Sequence, residues 1–145
     1  MPKAATFCND ILALILNTTA IANIAQNNTT SPDTNFYFSL HTANPGTSDS
    51  QTTSEISYTG YSRVAVPRTT SGFGAPSGGV AALASDKDFP VSTGGTGGTV
   101  SHVGLGRLAS GAGKMLYSGG ASPPIAVTSG TIPRINGTTT TITET

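Results

Sequence analysis

With 145 residues the chain is long enough for one domain and short for two, since a single core is normally supported by roughly 100–200 residues. Charged residues make up only 10% of it and the formal net charge is zero; ordinary soluble domains carry about 25%, so the surface must be built from Thr, Ser, Asn and Gly, and disorder driven by like charge is not expected. The basic residues Lys3, Arg63, Arg68, Lys87, Arg107, Lys114 and Arg134 form no run, which excludes a nucleic-acid groove and a polybasic membrane patch.

The N-terminal stretch carries one lysine and an apolar run at 11–16 that is too short to span a bilayer, and Asn9 and Asp10 interrupt its start. It reads neither as a signal peptide nor as an anchor, so a cytoplasmic product is expected, in which the Asn-x-Thr triplets at Asn17, Asn28 and Asn136 carry no glycan. Phe7, Ile11, Leu14 and Ile15, then Ile21 and Ile24, recur at helical spacing behind a candidate N-cap, Thr6. The weak helix formers Asn17, Thr18 and Thr19 lie between, so the pattern predicts one helix frayed in the middle, or two short ones, ending near Gln26. Residues 1–26 are thus expected to form a helical arm whose apolar face packs on the chain's own sheet or reaches a neighbouring subunit. Cys8 has no second thiol to pair with and no metal-ligand spacing around it.

Beyond a polar linker at 27–35 the texture changes to short β-rich segments separated by Gly, Pro, Ser and Asn. Strands are expected at 36–41, 56–58, 62–68, 80–84, 89–91, 99–107, 114–117, 125–127 and 138–143, with turns at Asn44-Pro45-Gly46, Ser77-Gly78-Gly79 and Ser118-Gly119-Gly120. No second amphipathic helical run follows, which removes the alternation of a parallel α/β sheet. Residues 27–145 are therefore expected to be a mainly β domain, a jelly roll or antiparallel β-sandwich of about eight strands, preceded by the N-terminal α-helix. The stretches 44–54 and 92–98 read as exposed, mobile loops that serve either as contact surfaces or as plain connections.

Catalytic chemistry is poorly supplied. His41 has Asp33 and Asp49 near it in sequence, but no serine sits in a Gly-x-Ser-x-Gly elbow, and a histidine ending a strand is expected to hydrogen-bond its own loop. Gly104-Leu105-Gly106-Arg107-Leu108-Ala109 matches a dinucleotide fingerprint formally, yet Ser110-Gly111-Ala112-Gly113 breaks the helix that should follow, so the glycines read as close sheet packing. Gly113-Lys114 fails as a phosphate loop, because Leu108 and Met115 stand where Gly and a hydroxyl residue are required. Glu55 stands alone, and Asp86-Lys87-Asp88 reads as an edge-protecting cluster. No enzyme, cofactor or metal site is expected.

The segment Asn35 to Gly46, with Leu40-His41-Thr42-Ala43 and Pro45-Gly46, is followed by Glu55, Tyr58, Gly60-Tyr61, Arg63 and Val66. This arrangement resembles a family of small phage virion structural proteins commonly labelled tail fibre proteins. The likeness continues through Phe89-Pro90, the strand at 100–106 and the stretch at 111–119, and so covers most of residues 34–120. The chain also resembles a capsid cement, or decoration, protein of a Bordetella-infecting short-tailed phage. Together these imply a virion protein made in the host cytoplasm. Brevity, the lack of fibre repeats or heptads, and the apolar helix favour cement on the capsid exterior, with the major capsid protein and other copies of itself as partners. No nucleic acid or membrane partner is implied. Tyr58, Tyr61 and Arg63, with Phe7, Ile11, Leu14 and Ile15, are the candidate interface residues. A tail fibre or baseplate part contacting a host receptor is the alternative, and a carbohydrate-binding jelly roll a further one, poorly served by a chain without Trp.

Overall fold

The computed structural model describes residues 5–21, 33–45 and 50–144, with side chains from Cys8 onward. The expectations for Ile24, for a helix end near Gln26, for the Phe7 side chain and for Gly46 to Asp49 fall outside those residues. The protein is mainly β, with an N-terminal helix and about eight strands in antiparallel sheets. Helix α1 (Ala5–Leu16) is followed by β1 (Asn35–His41), β2 (Val64–Pro67), β3 (Val80–Ala82), β4 (Lys87–Asp88), β5 (Gly98–Gly106), β6 (Met115–Val127), β7 (Arg134–Ile135), a 3-10 turn (Gly137–Thr139) and β8 (Thr141–Thr143). The strands form one four-stranded sheet in the order β2-β1-β5-β6 and two ribbons, β3-β8 and β4-β7. The chain divides into two compact units, one from Met1–Asn35, Val66–Asp86 and Ile135–Thr145, the other from Phe36–Ala65 and Lys87–Arg134.

In the first unit α1 packs on β3. Its buried row is Cys8, Leu12 and Leu16, spaced by four and so aligned on one face, with cysteine serving as a small hydrophobe. Ile11, Leu14 and Ile15 are only half-buried beside this row. The helix stops at Leu16, five residues short of Ile21 in its apolar pattern: Thr18 takes a left-handed conformation (φ 56°), and the Thr19 N–H closes back on the Ala13 carbonyl at 3.0 Å. Arg68 completes this end. Its guanidinium donates to the carbonyls of Ile15 (2.7 Å), Leu14 (3.2 Å) and Asp33 (2.8 Å), placing a cation where the helix dipole is negative and carbonyls lack intrahelical partners. Arg68→Ala is expected to cost about 2 kcal/mol, and amide exchange should accelerate selectively in residues 12–16; unchanged protection there would show that the cap contributes nothing.

The ribbon of the first unit begins at the turn read from Ser77-Gly78-Gly79. Ser77 and Val80 exchange both backbone hydrogen bonds, and Gly78 and Gly79 hold φ of 60° and 78°, a two-residue hairpin turn that only glycine adopts without strain. Fully buried Ala81 lies opposite buried Ile142 across the ribbon.

In the second unit the core row of β1 is Phe36, Phe38 and Leu40, and β5 supplies Val100 and Leu105. The segments expected at 114–117 and 125–127 are one strand. Ser118, Gly119 and Gly120 do not turn but stay paired with Gly104, Val103 and His102 of β5. The surplus chain is absorbed farther on, where Ser101 alone lies between the paired positions Val100 and His102 while residues 121–124 separate Gly120 from Ile125. The expected strand at 56–58 is instead an irregular segment held by single bonds, including Ile56 N–H to Leu40 O at 2.9 Å.

Candidate functional site

The residues that carry the sequence pattern from Glu55 to Arg63 converge on one network in the second unit. The Arg63 side chain is 2% exposed and that of Glu55 14%. The guanidinium donates Nε–H and one terminal N–H to the two Glu55 oxygens, each at 2.7 Å, in the forked geometry that arginine alone offers. Its other donors reach the Leu108 carbonyl at 3.0 Å and the Gly111 carbonyl at 2.8 Å. The Glu55 hydrogen bonds, against the opposing effect of burial, raise the Arg63 pKa further, so the charge is permanent. The Tyr61 hydroxyl donates to Glu55 Oε1 at 2.8 Å and accepts the Leu40 N–H at 3.1 Å. Burial holds Tyr61 far above its usual range, with the nearby carboxylate adding to the effect. Its ring meets Tyr58 edge-on at 5.2 Å and lies parallel to Phe89 at 6.2 Å, while the Tyr58 hydroxyl donates to Pro90 O at 2.8 Å.

Tyr58, Tyr61 and Arg63 are therefore brought together, with Tyr58 and Arg63 buried and Tyr61 half-buried, and every polar group among them bonded within the chain. Ile11, Leu14 and Ile15 stand elsewhere, on α1 in the other unit. Glu55, expected to stand alone, is the hub; the signal in the sequence was its place, with Tyr61 and Arg63, in the pattern shared with phage virion proteins. Gln51 was missed altogether. It lies in the stretch expected to be a mobile loop, yet it is fully buried: its backbone N–H donates to Gly113 O at 2.8 Å and its Oε1 accepts the Leu108 N–H at 3.0 Å. Gln51 and Arg63 thus clamp the stretch at 108–113 from two sides. The glycines once weighed as a cofactor fingerprint make room for this: a Cβ on Gly106 would lie 2.2 Å from Gln51 Cδ, and one on Gly104 2.7 Å from His41 Nε2. The stretch 92–98 is likewise anchored, with Ser92 buried and Thr59 N–H donating to Gly94 O at 2.8 Å.

His41 bonds the neighbouring loop, as its position at a strand end led one to expect. Nδ1–H donates to Thr53 O at 2.8 Å, which leaves Nε2 to accept the Ser39 hydroxyl at 2.9 Å. The order Ser, His, acceptor resembles a nucleophile relay, but Ser39 and His41 are both fully buried, so no substrate reaches either. Burial pushes the His41 pKa below its ordinary value, opposed in part by the Thr53 hydrogen bond and the Glu55 charge. A folded pKa below the unfolded one means that the unfolded chain takes up the proton first. The contribution to stability is complete above the unfolded value near 6.5 and declines as pH falls beneath it, by at most about 1.4 kcal/mol per pH unit. Urea midpoints are expected to drop between pH 7 and pH 5, and the drop should shrink in His41→Asn; a wild-type midpoint flat over that interval would contradict it.

A shallow cleft of about 270 Å³ opens beside the network, lined by Glu55, Tyr61, Ser62, Arg63 and residues 109–111. Among the described residues no group of His, Cys, Asp and Glu is placed to hold a metal ion, and no helix is long and apolar enough to cross a membrane. On a second ribbon Arg134 forms a forked pair with Asp88, both exposed, while Asp86 accepts the Gly137 N–H at 2.8 Å. No curated protein matches the chain. The profile of one family, described as podophage GP4 fiber I protein gp80, matches residues 9–143. The matched span takes in α1 from Asn9, every strand and the whole Glu55 network, and the chain belongs to this family of phage structural proteins.

Proposed function

We propose that the protein is a structural subunit of the fibre apparatus of a short-tailed phage, acting by contact with other copies of itself and with neighbouring virion proteins. The observation that carries this is the family match over residues 9–143, nearly the full length. The chemistry of the chain agrees with it. The side chains that catalysis would recruit, Ser39, His41, Glu55 and Arg63, are spent on holding strands and loops together. A chain with few charges, no net charge and many hydroxyls has little repulsion between copies and suits assembly. The cement reading rested on brevity, the lack of fibre repeats or heptads and an apolar helix suited to anchoring; the buried row of α1 packs within its own unit, and the family match favours the fibre reading. The test is copy number and location in purified particles, by quantitative mass spectrometry and immunogold labelling. Roughly a few dozen copies at the tail are expected; hundreds spread over the shell, with the major capsid protein as partner, would reverse the preference.

A further inference from the structure

We propose that the outer edge of β6, from Met115 to Gly120, pairs antiparallel with the same edge of a second copy, joining two four-stranded sheets into one of eight strands. This rests on the reading that the protein contacts copies of itself, and it names the surface. In the order β2-β1-β5-β6 the last strand is bonded to β5 on one side and to no strand on the other. Antiparallel pairing turns backbone N–H and C=O groups alternately toward the partner and away from it, so an edge strand presents half of its groups outward. Ser118, Gly119 and Gly120 are exposed, and among the described residues their backbone makes no hydrogen bond beyond β5.

Sheet edges are normally guarded by charge, proline, a bulge or brevity. The β2 edge has two of these guards, being four residues long and ending in Pro67. In contrast, β6 runs for 13 residues without a charged side chain, and its guards, Pro123, Pro124 and the bulge at 121–124, all lie beyond Gly120. Residues 115–120 are therefore an open template about 20 Å long. The template fits a second copy better than a foreign strand. A foreign strand is selected by pockets for its alternate side chains, and Ser118, Gly119 and Gly120 build none. An identical edge needs no pocket: a two-fold axis sets the donors of each copy against the acceptors of the other, and the glycines let the backbones approach. The nearest charge, Lys114, precedes the segment, so antiparallel pairing holds its two copies at opposite ends of the joint, and the zero net charge adds no general repulsion. The guarded β2 edge stops growth at two copies.

The full chain is followed by analytical ultracentrifugation across a concentration series, with amide exchange measured at both ends of it. A concentration-dependent dimer is expected, in which amides at 115–120 exchange more slowly than in the dilute monomer. Gly119→Lys should weaken the dimer at least about tenfold, because it sets like charges across the joint. A Cβ at Gly119 meets nothing within 4 Å, so the monomer accepts the side chain. Gly119→Glu should act in the same way, Gly119→Ala should leave the dimer in place, and mixing the Lys and Glu variants should restore association. A chain still monomeric at about 1 mM, a dimer indifferent to Gly119→Lys, or no rescue in the mixture would each overturn the edge pairing. The fibre reading is decided separately, by location and copy number in particles, and survives any of these results.

Discussion

Replacing Arg63 by Leu is expected to destabilise the protein by about 3–5 kcal/mol, the loss that follows when one member of a buried ion pair is removed and the other stays behind. The Leu108 and Gly111 carbonyls would lose donors too, but both residues are exposed and water can replace them. The Glu55 carboxylate cannot be rescued in this way. It would keep only the Tyr61 hydroxyl, in a position where its side chain is 14% exposed. The double variant Glu55→Gln, Arg63→Leu removes that stranded charge and should be less destabilised than the sum of the single variants. Urea unfolding of the three proteins decides the matter; a cost below about 1 kcal/mol for Arg63→Leu would mean that the pair is solvated and the network adds little.

A comparable loss, about 3 kcal/mol or more, is expected from one methyl group at Gly72 in the other unit. Gly72 closes the turn after β2, donating its N–H to Thr69 O at 2.9 Å and accepting from Ala84 N–H at 2.9 Å. A Cβ there would lie 2.0 Å from the Pro67 carbonyl oxygen and 2.9 Å from Val66 Cγ1, far inside the roughly 3.5–4.0 Å at which carbon atoms meet comfortably. Relief is expensive, because the obstructing oxygen is backbone and Val66 and Phe73 are each 1% exposed. Gly78→Ala is the control: its Cβ would meet nothing within 4 Å, but φ is 60°, so it carries strain alone, about 1 kcal/mol. Equal melting temperatures for the two variants would refute the collision argument.

Much of the fold was legible in the sequence because local chemistry dictated it. The β-rich run Phe36-Tyr37-Phe38 marked β1, the Gly78-Gly79 pair marked a turn, and the missing second helical pattern removed α/β architectures. The misjudged places are those where partners distant in the chain override local signals. Ser118-Gly119-Gly120 has the composition of a turn, yet β5 holds it extended. Gln51 has the composition of a loop residue, yet glycines more than fifty positions away leave it a buried slot. The helix face was drawn by spacing through Ile11, Leu14 and Ile15, which are half-buried, while the row that packs fully is Cys8, Leu12 and Leu16, one step around the helix.

The site was half legible. Glu55, Tyr58, Tyr61 and Arg63 were set apart by the resemblance to phage virion proteins that they carry, and the structure brings them together. Their pairing was not readable, since an ion pair across eight positions of irregular chain has no period to announce it.

The detour at 121–124 uncouples the two halves of β6. Register on one side is fixed by Val100 with Ile125 and on the other by His102 with Gly120, whatever length of chain runs between them. Ser122, Pro123 and Pro124 are exposed. Such a place acts as an expansion joint: sequence can be added or trimmed there without sliding a strand by one residue and turning its inner face outward, which makes it the natural position for a short inserted tag and for drift in length between related chains.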